Sequence, residues 1–251
     1  MRIVVVGGSG FIGARLVDLL RAKGHEAVAA SRTSGIDAFT RKGLAEALAD
    51  ARVVVDVTEA PSLEDHAALD FFVRTSANLL AAESIASVGH HVALSVVGVD
   101  RVRDSGYFRA KAAQEDLIKT SSIPYTIVRS TQFFEFIETI LQLSPDKDVI
   151  RLPSAFVQPV APDDVAEALA GIAVGAPLNR TIELAGPEAI CLDELGRLIL
   201  SAHEDPRPVI ADAHARFFGA ELDDLSLVPG PNVWIGASSV RDWLRHFITA
   251  G

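Results

Sequence analysis

The chain of 251 residues carries one cysteine, Cys191, one methionine, and two each of tyrosine and tryptophan. A single thiol cannot close an internal disulfide or build a cysteine-rich zinc site. It suits a reducing compartment, so a cytoplasmic location is expected. No basic residue lies near Cys191 in sequence, and an inert thiol is expected there. The seven histidines show no metal-ligand spacing, so no metal is expected. Basic residues are also scarce. There are 23 against 33 acidic ones, a net charge of −10 and a pI of about 5.1, which disfavours nucleic acid and anionic lipid as partners. No run approaches the roughly 18 apolar residues of a membrane span. Met1–Val6 reaches Gly7 too early to form the core of a signal peptide.

What is present is the composition of a packed protein: 49% apolar and 22% charged, with glycine and proline dispersed, which excludes disorder, collagen and coiled coil. Strand-like and helix-like segments alternate. Ile3–Val6, Ala27–Ala30, Val53–Val57, His91–Val97 and Tyr125–Val128 are short apolar runs of strand length. Between them lie helical stretches at Phe11–Ala22, Leu44–Leu48, Leu69–Ala86 and Tyr107–Lys119. That rhythm predicts an α/β fold with a doubly wound, Rossmann-type parallel sheet. Beyond Ser130 it loosens. Helices are expected at Phe133–Leu143, Asp163–Val174 (capped by Asp163 or Asp164) and Leu192–Ser201, with a late strand near residues 181–186 rejoining the sheet. Residues 1–130 thus read as a nucleotide-binding domain and 131–251 mainly as a small C-terminal α/β substrate lobe.

The first strand runs into Gly7-Gly8-Ser9-Gly10-Phe11-Ile12-Gly13, inside which the first helix begins. One glycine allows the tight turn, one lets backbone N–H groups approach a pyrophosphate, and one lets the helix pack on the strand. The helix N-terminus adds partial positive charge facing the phosphates. A site selective for NAD places Asp or Glu roughly 20 residues further on, to hold the ribose 2′-hydroxyl. Here the second strand ends in Ala30-Ser31-Arg32-Thr33. Arg32 can pair with a 2′-phosphate and Ser31 can hydrogen-bond it, so NADP(H) is expected in preference to NAD(H).

Tyr107 and Lys111 stand four apart in a helical stretch and therefore share a face. A lysine ammonium beside a phenol favours the phenolate, making Tyr107 a usable acid/base. Ser95, twelve residues upstream in the preceding strand, can hydrogen-bond a substrate carbonyl. With two tyrosines and five lysines in the chain, chance placement yields such a pair with a probability of about 4%.

These residues resemble the short-chain dehydrogenase/reductase superfamily, and more narrowly its atypical NmrA-like, NAD(P)-binding branch. The resemblance is carried by GGSGFIG (7–13), GLAEALADARVVVDVT (43–58), HHVALSVVGVDR (90–101), YFRAKAAQEDLIKTSSIPYTIVRSTQFFEF (107–136), QPVAPDDVAEAL (158–169), ELAGPE (183–188) and the terminal Trp243-Leu244. By position it implies that Gly7, Gly10 and Gly13 wrap the pyrophosphate, with Ser9, Phe11 and Ile12 supplying backbone contacts. Ser31 and Arg32 would meet the 2′-phosphate. Asp37, in a short third strand, would reach the adenine amino group, and Thr58, ending a fourth strand, would line the adenine ribose. Ser130, Thr131 and Gln132 would flank the nicotinamide. Ser95, Tyr107 and Lys111 would form the reductase triad of carbonyl polariser, proton donor and ribose-binding modulator. One departure is plain: where many relatives carry an Asn that completes a proton relay, this chain has Phe72, and Asn78 falls at a structural position.

The expected activity is an NADP(H)-dependent oxidoreductase, with hydride transfer to or from a small carbonyl or quinone. Phe133, Phe134 and Phe136 suggest an apolar or aromatic substrate. The same residues admit two alternatives: a dinucleotide-sensing regulator without turnover, and an epimerase or dehydratase using transient hydride transfer.

Overall fold

The computed structural model describes residues 1–142 and 148–249, with side chains described through residue 245. Leu143, expected to end a helix, and the side chain of His246 lie outside these. The elements follow in the order β1 (Arg2–Val6), α1 (Phe11–Ala22), β2 (Glu26–Ala30), α2 (Leu44–Leu48), β3 (Val53–Asp56), α3 (Asp65–Ala86), β4 (His90–Val96), α4 (Gly106–Thr120) and β5 (Tyr125–Ser130). Then come α5 (Phe134–Gln142), β6 (Ile150–Leu152), β7 (Phe156–Val157), α6 (Pro162–Val174), β8 (Arg180–Ala185), β9 (Ile190–Cys191), α7 (Leu192–Ala202), β10 (Val209–Ala211), β11 (Val233–Ile235) and α8 (Val240–Thr249).

Seven strands form one parallel sheet in the order β11-β8-β5-β4-β3-β1-β2. Strand alternation sorts the side chains onto two faces. Ile3, Val5, Val53 and Val55 pack with Leu16 and Leu20 of α1 and Val165 and Leu169 of α6. Val4, Val6 and Val54 pack on the other face with Leu44, Leu48 and Leu79. The expected late strand is present as β8, paired with β5 from Thr126–Arg180 to Ser130–Leu184. The sequence reading missed β11, which adds three residues to the sheet edge beside β8. A further apolar cluster joins Phe134, Ile137 and Leu141 of α5 to Leu195 and Ile199 of α7 and to Phe217 and Leu227. No described helix is long and apolar enough to cross a membrane.

Three local expectations are corrected. Helix α3 begins at Asp65 rather than Leu69, because the Glu64 carboxylate accepts the N–H groups of His66 and Ala67. Its first turn is therefore set by a cap and not by apolar spacing. Helix α6 is capped by Ala161, with Pro162 at its first position. Asp163 and Asp164 lie within the first turn, where their charge still complements the helix dipole. Asp37 is not in a strand. It makes a single antiparallel bridge with Lys42, and its Oδ1 accepts the N–H groups of Phe39 and Thr40. Thr58 consequently follows the third strand, not a fourth.

Candidate active site

The chain passes from β1 outward to β2 and returns to lay β3 on the other side of β1, so the order of strand addition reverses between β1 and β3. A crevice at the C-terminal ends of the strands is the geometric consequence. A cleft of about 1000 Å³ occupies that place. Gly7, Ser9, Gly10, Phe11, Ile12, Ser31, Arg32, Asp37, Thr58, Ser95, Tyr107, Lys111, Ser130, Thr131 and Gln132 all line it. Of the candidate residues, Gly13 alone does not.

Gly13 acts from behind the loop: a Cβ there would stand 2.1 Å from the carbonyl oxygen of Gly7, so its absence lets α1 seat against β1. Gly7 itself has φ +84°, and a Cβ there would meet the Val57 carbonyl at 2.7 Å. The glycines thus hold the loop flat against the ends of β1 and β3. Helix α1 has no side-chain cap at Gly10 and no acidic residue in its first turn. Its leading N–H groups are left for an outside acceptor. At the far end of the cleft Gln132 is buried with its Oε1 unpartnered, an acceptor awaiting a donor. Both features fit a dinucleotide: an anion at the loop and a donor group at Gln132.

Arg32 opens a single 3-10 turn, Arg32–Ser34, after β2. Ser31, Thr33, Ser34 and Ser9 form a run of hydroxyls beside it, with Ser31 and Thr33 oxygens 2.8 Å apart and Thr33 to Ser9 at 3.3 Å. Among the described residues no carboxylate pairs with Arg32.

The triad expected from sequence is only partly assembled. Ser95 is buried, and its hydroxyl donates to Glu115 Oε1 at 2.7 Å. Glu115 also accepts Arg129 through Nε and Nη2, each at 2.8 Å, and Lys119 at 2.8 Å. Burial pushes the Glu115 carboxyl up, but hydrogen bonds from Arg129, Lys119 and Ser95 outweigh it and hold it below the usual range. The Ser95 proton is spent there.

Tyr107 does not have a lysine-lowered phenol. Its hydroxyl donates to Glu59 Oε2 at 2.9 Å. Burial, reinforced by the Glu59 charge and that hydrogen bond, pushes the phenol well above its ordinary range. Lys111 donates instead to the Leu94 carbonyl at 2.9 Å and to Gln114 Oε1, and its ammonium lies 4.4 Å from the centre of the Phe72 ring. Burial lowers the Lys111 ammonium, opposed by Glu59, Asp56 and Glu115. Gln114 passes the contact on to Asp56 Oδ2 at 2.9 Å, while Asp56 Oδ1 accepts the Thr58 N–H and hydroxyl.

Glu59, Asp56 and Gln114 went unread in the sequence. Asp56 left a signal, as the one charged residue in an otherwise apolar strand. Phe72 is fully buried and meets Tyr107 edge-on at 6.0 Å, leaving no amide relay there. Asn78 is structural: it donates to the Ala38 and Phe39 carbonyls and accepts from Arg41.

Beyond Tyr107 the cleft is lined by Phe133, Phe136, Phe217 and Phe218, with the Phe136 and Phe218 rings stacked at 5.5 Å. Arg32 and Lys111 are the only basic side chains in the described lining.

A parallel sheet whose strand order reverses beside a glycine loop, with a cleft at that switch point, defines a Rossmann-type dinucleotide-binding protein. Residues 7–174 match the NAD(P)H-binding family, and the chain belongs to it. Solved structures share the fold across almost the whole chain. MoeE5 in complex with UDP-glucose and NAD aligns with a TM-score of 0.76 at 16% identity, covering 100% of this chain and 99% of that one. UDP-glucose 4-epimerase from Thermotoga maritima aligns at 0.73 and 16% identity, covering 99% and 98%. The dTDP-4-dehydrorhamnose reductase from Bacillus anthracis, in complex with NADP, aligns at 0.68 and 14%, covering 99% of each chain. A 40-residue stretch is 52% identical to the epimerase family protein SDR39U1 of Bos taurus, spanning 16% of this chain and 14% of that protein.

Proposed function

We propose that the protein is an NADP(H)-dependent oxidoreductase of the short-chain dehydrogenase/reductase type, acting on a small apolar or aromatic carbonyl or quinone. The observation that carries this reading is the position of Tyr107 and Lys111 on one helix face, lining the same cleft as the glycine loop and Arg32. Backbone N–H groups of Ser9, Phe11 and Ile12, with Gly7 and Gly10, would hold the pyrophosphate. Arg32 and Ser31 would hold a 2′-phosphate, Asp37 and Thr58 the adenosine, and Ser130, Thr131 and Gln132 the nicotinamide end. A bound nicotinamide supplies or takes up hydride. Tyr107, its phenol kept protonated by burial and Glu59, is a proton donor to a carbonyl oxygen. Lys111, buried and positive, supports the negative charge that Tyr107 gains on giving up its proton. The four phenylalanines, with Arg32 and Lys111 as the only basic side chains in the described lining, favour an uncharged aromatic substrate over a sugar nucleotide, whose diphosphate would need further cations.

A second reading, a dinucleotide-sensing regulator as in the NmrA-like branch, is favoured by one observation: the Ser95 hydroxyl is tied to Glu115. Turnover decides between them. The purified protein is freed of nucleotide, which is identified by mass, and then assayed with NADPH against a panel of carbonyls and quinones. The enzyme reading expects turnover that falls by at least about 100-fold in Tyr107→Phe with dinucleotide affinity kept. Tight NADPH binding with no turnover of any panel member supports the regulator.

A further inference from the structure

We propose that Glu59 is the proton relay of this site, reloading Tyr107 from solvent in place of an amide relay through α3. The proposal rests on the reading of Tyr107 as the acid. On α3 the residue that meets Tyr107 is Phe72, fully buried, edge-on to the phenol and under the Lys111 ammonium, so no side-chain amide is available at that position. A phenol that gives up its proton in a partly enclosed cleft needs another way to recover it. Glu59 provides one. It stands in the loop after β3, 48 residues from Tyr107 in sequence, and meets the phenol hydroxyl at 2.9 Å. Its other oxygen accepts the N–H of Ala60 at 2.9 Å, which fixes the carboxylate in the loop. The residue is exposed, so the carboxylate joins the phenol to bulk water.

The cycle balances. Tyr107 passes its hydroxyl proton to the substrate oxygen while the carbonyl carbon gains two electrons and a hydrogen nucleus from the reduced dinucleotide. The Glu59 carboxylate then takes up a proton from water and passes it to the phenolate, returning to the ionised form in which it accepts the phenol hydrogen bond. Each carbonyl reduced consumes one solvent proton. The charged groups around the pair are Lys111 and Glu115 on α4 and Asp56 on β3; Asp56 and Glu115 bear on Lys111 together with Glu59. None of them hydrogen-bonds the phenol, so Glu59 is the group that exchanges protons with it. Glu59 acts on the substrate only through Tyr107.

Two measurements test this. The chain has two tyrosines, so a Tyr125→Phe background leaves Tyr107 as the sole phenol. Tyrosinate absorbance is titrated in that background with and without Glu59→Gln, with circular dichroism marking the range over which the fold persists. Removing the carboxylate is expected to lower the ionisation midpoint by about one unit or more; an unchanged midpoint overturns the pairing. In turnover, Glu59→Gln is expected to lower kcat by about 10-fold or more, increasingly at alkaline pH, with KM for the dinucleotide within about 2-fold. Added formate or imidazolium should restore kcat in Glu59→Gln and leave Tyr107→Phe inactive. If Glu59→Gln keeps the wild-type kcat and pH profile while Tyr107→Phe is dead, the relay falls and the enzyme reading stands. If the wild type turns over no carbonyl or quinone, the reading falls and takes the relay with it.

Discussion

Ser95 gives its hydroxyl proton to Glu115 at 2.7 Å, and Glu115 is in turn gripped by Arg129 through two bonds of 2.8 Å. The strand end that the sequence marks for carbonyl binding therefore also closes a buried charge cluster between β4, α4 and β5. A hydroxyl bound to a carboxylate contributes to stability, by about 1.5–3 kcal/mol for a hydrogen bond to a charged group. Ser95→Ala is expected to lower unfolding free energy by that order while kcat falls less than about 10-fold. Urea denaturation and steady-state kinetics on one preparation check this. A kcat loss above about 100-fold at unchanged stability would return Ser95 to the role of carbonyl polariser.

Glu115 makes the cluster pH-dependent. Its folded-state carboxyl lies below the usual range, held there against burial by Arg129, Lys119 and Ser95. A depressed carboxyl contributes stability that is fully present above its unfolded value, near 4.5, and lost as pH falls through the folded value. Glu115→Gln leaves Arg129 half-buried with Asp100 as its remaining carboxylate, and breaking such a pair costs about 3–5 kcal/mol at neutral pH. The difference between wild type and variant should shrink as denaturation is repeated at pH 4 and then 3. A constant difference would refute the assignment.

Arg32 offers the cleanest test of cofactor choice. Arg32→Ala is expected to weaken NADPH binding by about 10- to 100-fold, the worth of a charge-assisted contact, and to leave NADH within about 2-fold. Calorimetry with both dinucleotides reads this directly. Equal losses for the two would remove the 2′-phosphate from Arg32.

His90 and His91 are neighbours in β4 that should titrate in opposite directions, because alternation sends them to opposite faces. His90 bonds Thr126, and burial, with the adjacent His91, pushes its imidazole down to about 4. His91 bonds Glu83 at 2.9 Å, and although burial opposes it, the Glu83 charge and hydrogen bond, with Asp56, raise it. The His90 contribution to stability is thus present above pH 6.5 and lost between 6.5 and about 4. That of His91 is present below 6.5 and lost as pH rises through its raised value. Nitrogen-detected NMR titration should show one imidazole neutral at pH 5 and another with its midpoint above 6.5; parallel titration of both would contradict the fold around β4.

The glycine loop, the helix after it and the strands at 2–6 and 53–56 could be read from the chain because they depend on neighbours a few residues apart. A turn needs its glycine, a helix face its spacing, a buried strand its run of valines. The same locality placed Tyr107 beside Lys111, since four residues make one helical turn. It also found β8, whose apolar alternation survives in a loose region, and missed β11, where three residues between turns carry no period. The partners of the chemical groups were not local. Glu59 lies 48 residues from Tyr107 and Glu115 lies 20 from Ser95. A sequence reading sets lysine against tyrosine because they share a face, yet in the folded protein the ammonium turns to Leu94 and Gln114 while the phenol meets a carboxylate from the loop after β3. Backbone geometry and cofactor class follow from short-range sterics and spacing, which the sequence determines by itself. The direction of each proton is decided by which polar side chains packing brings within 3 Å, and only the tertiary structure settles that.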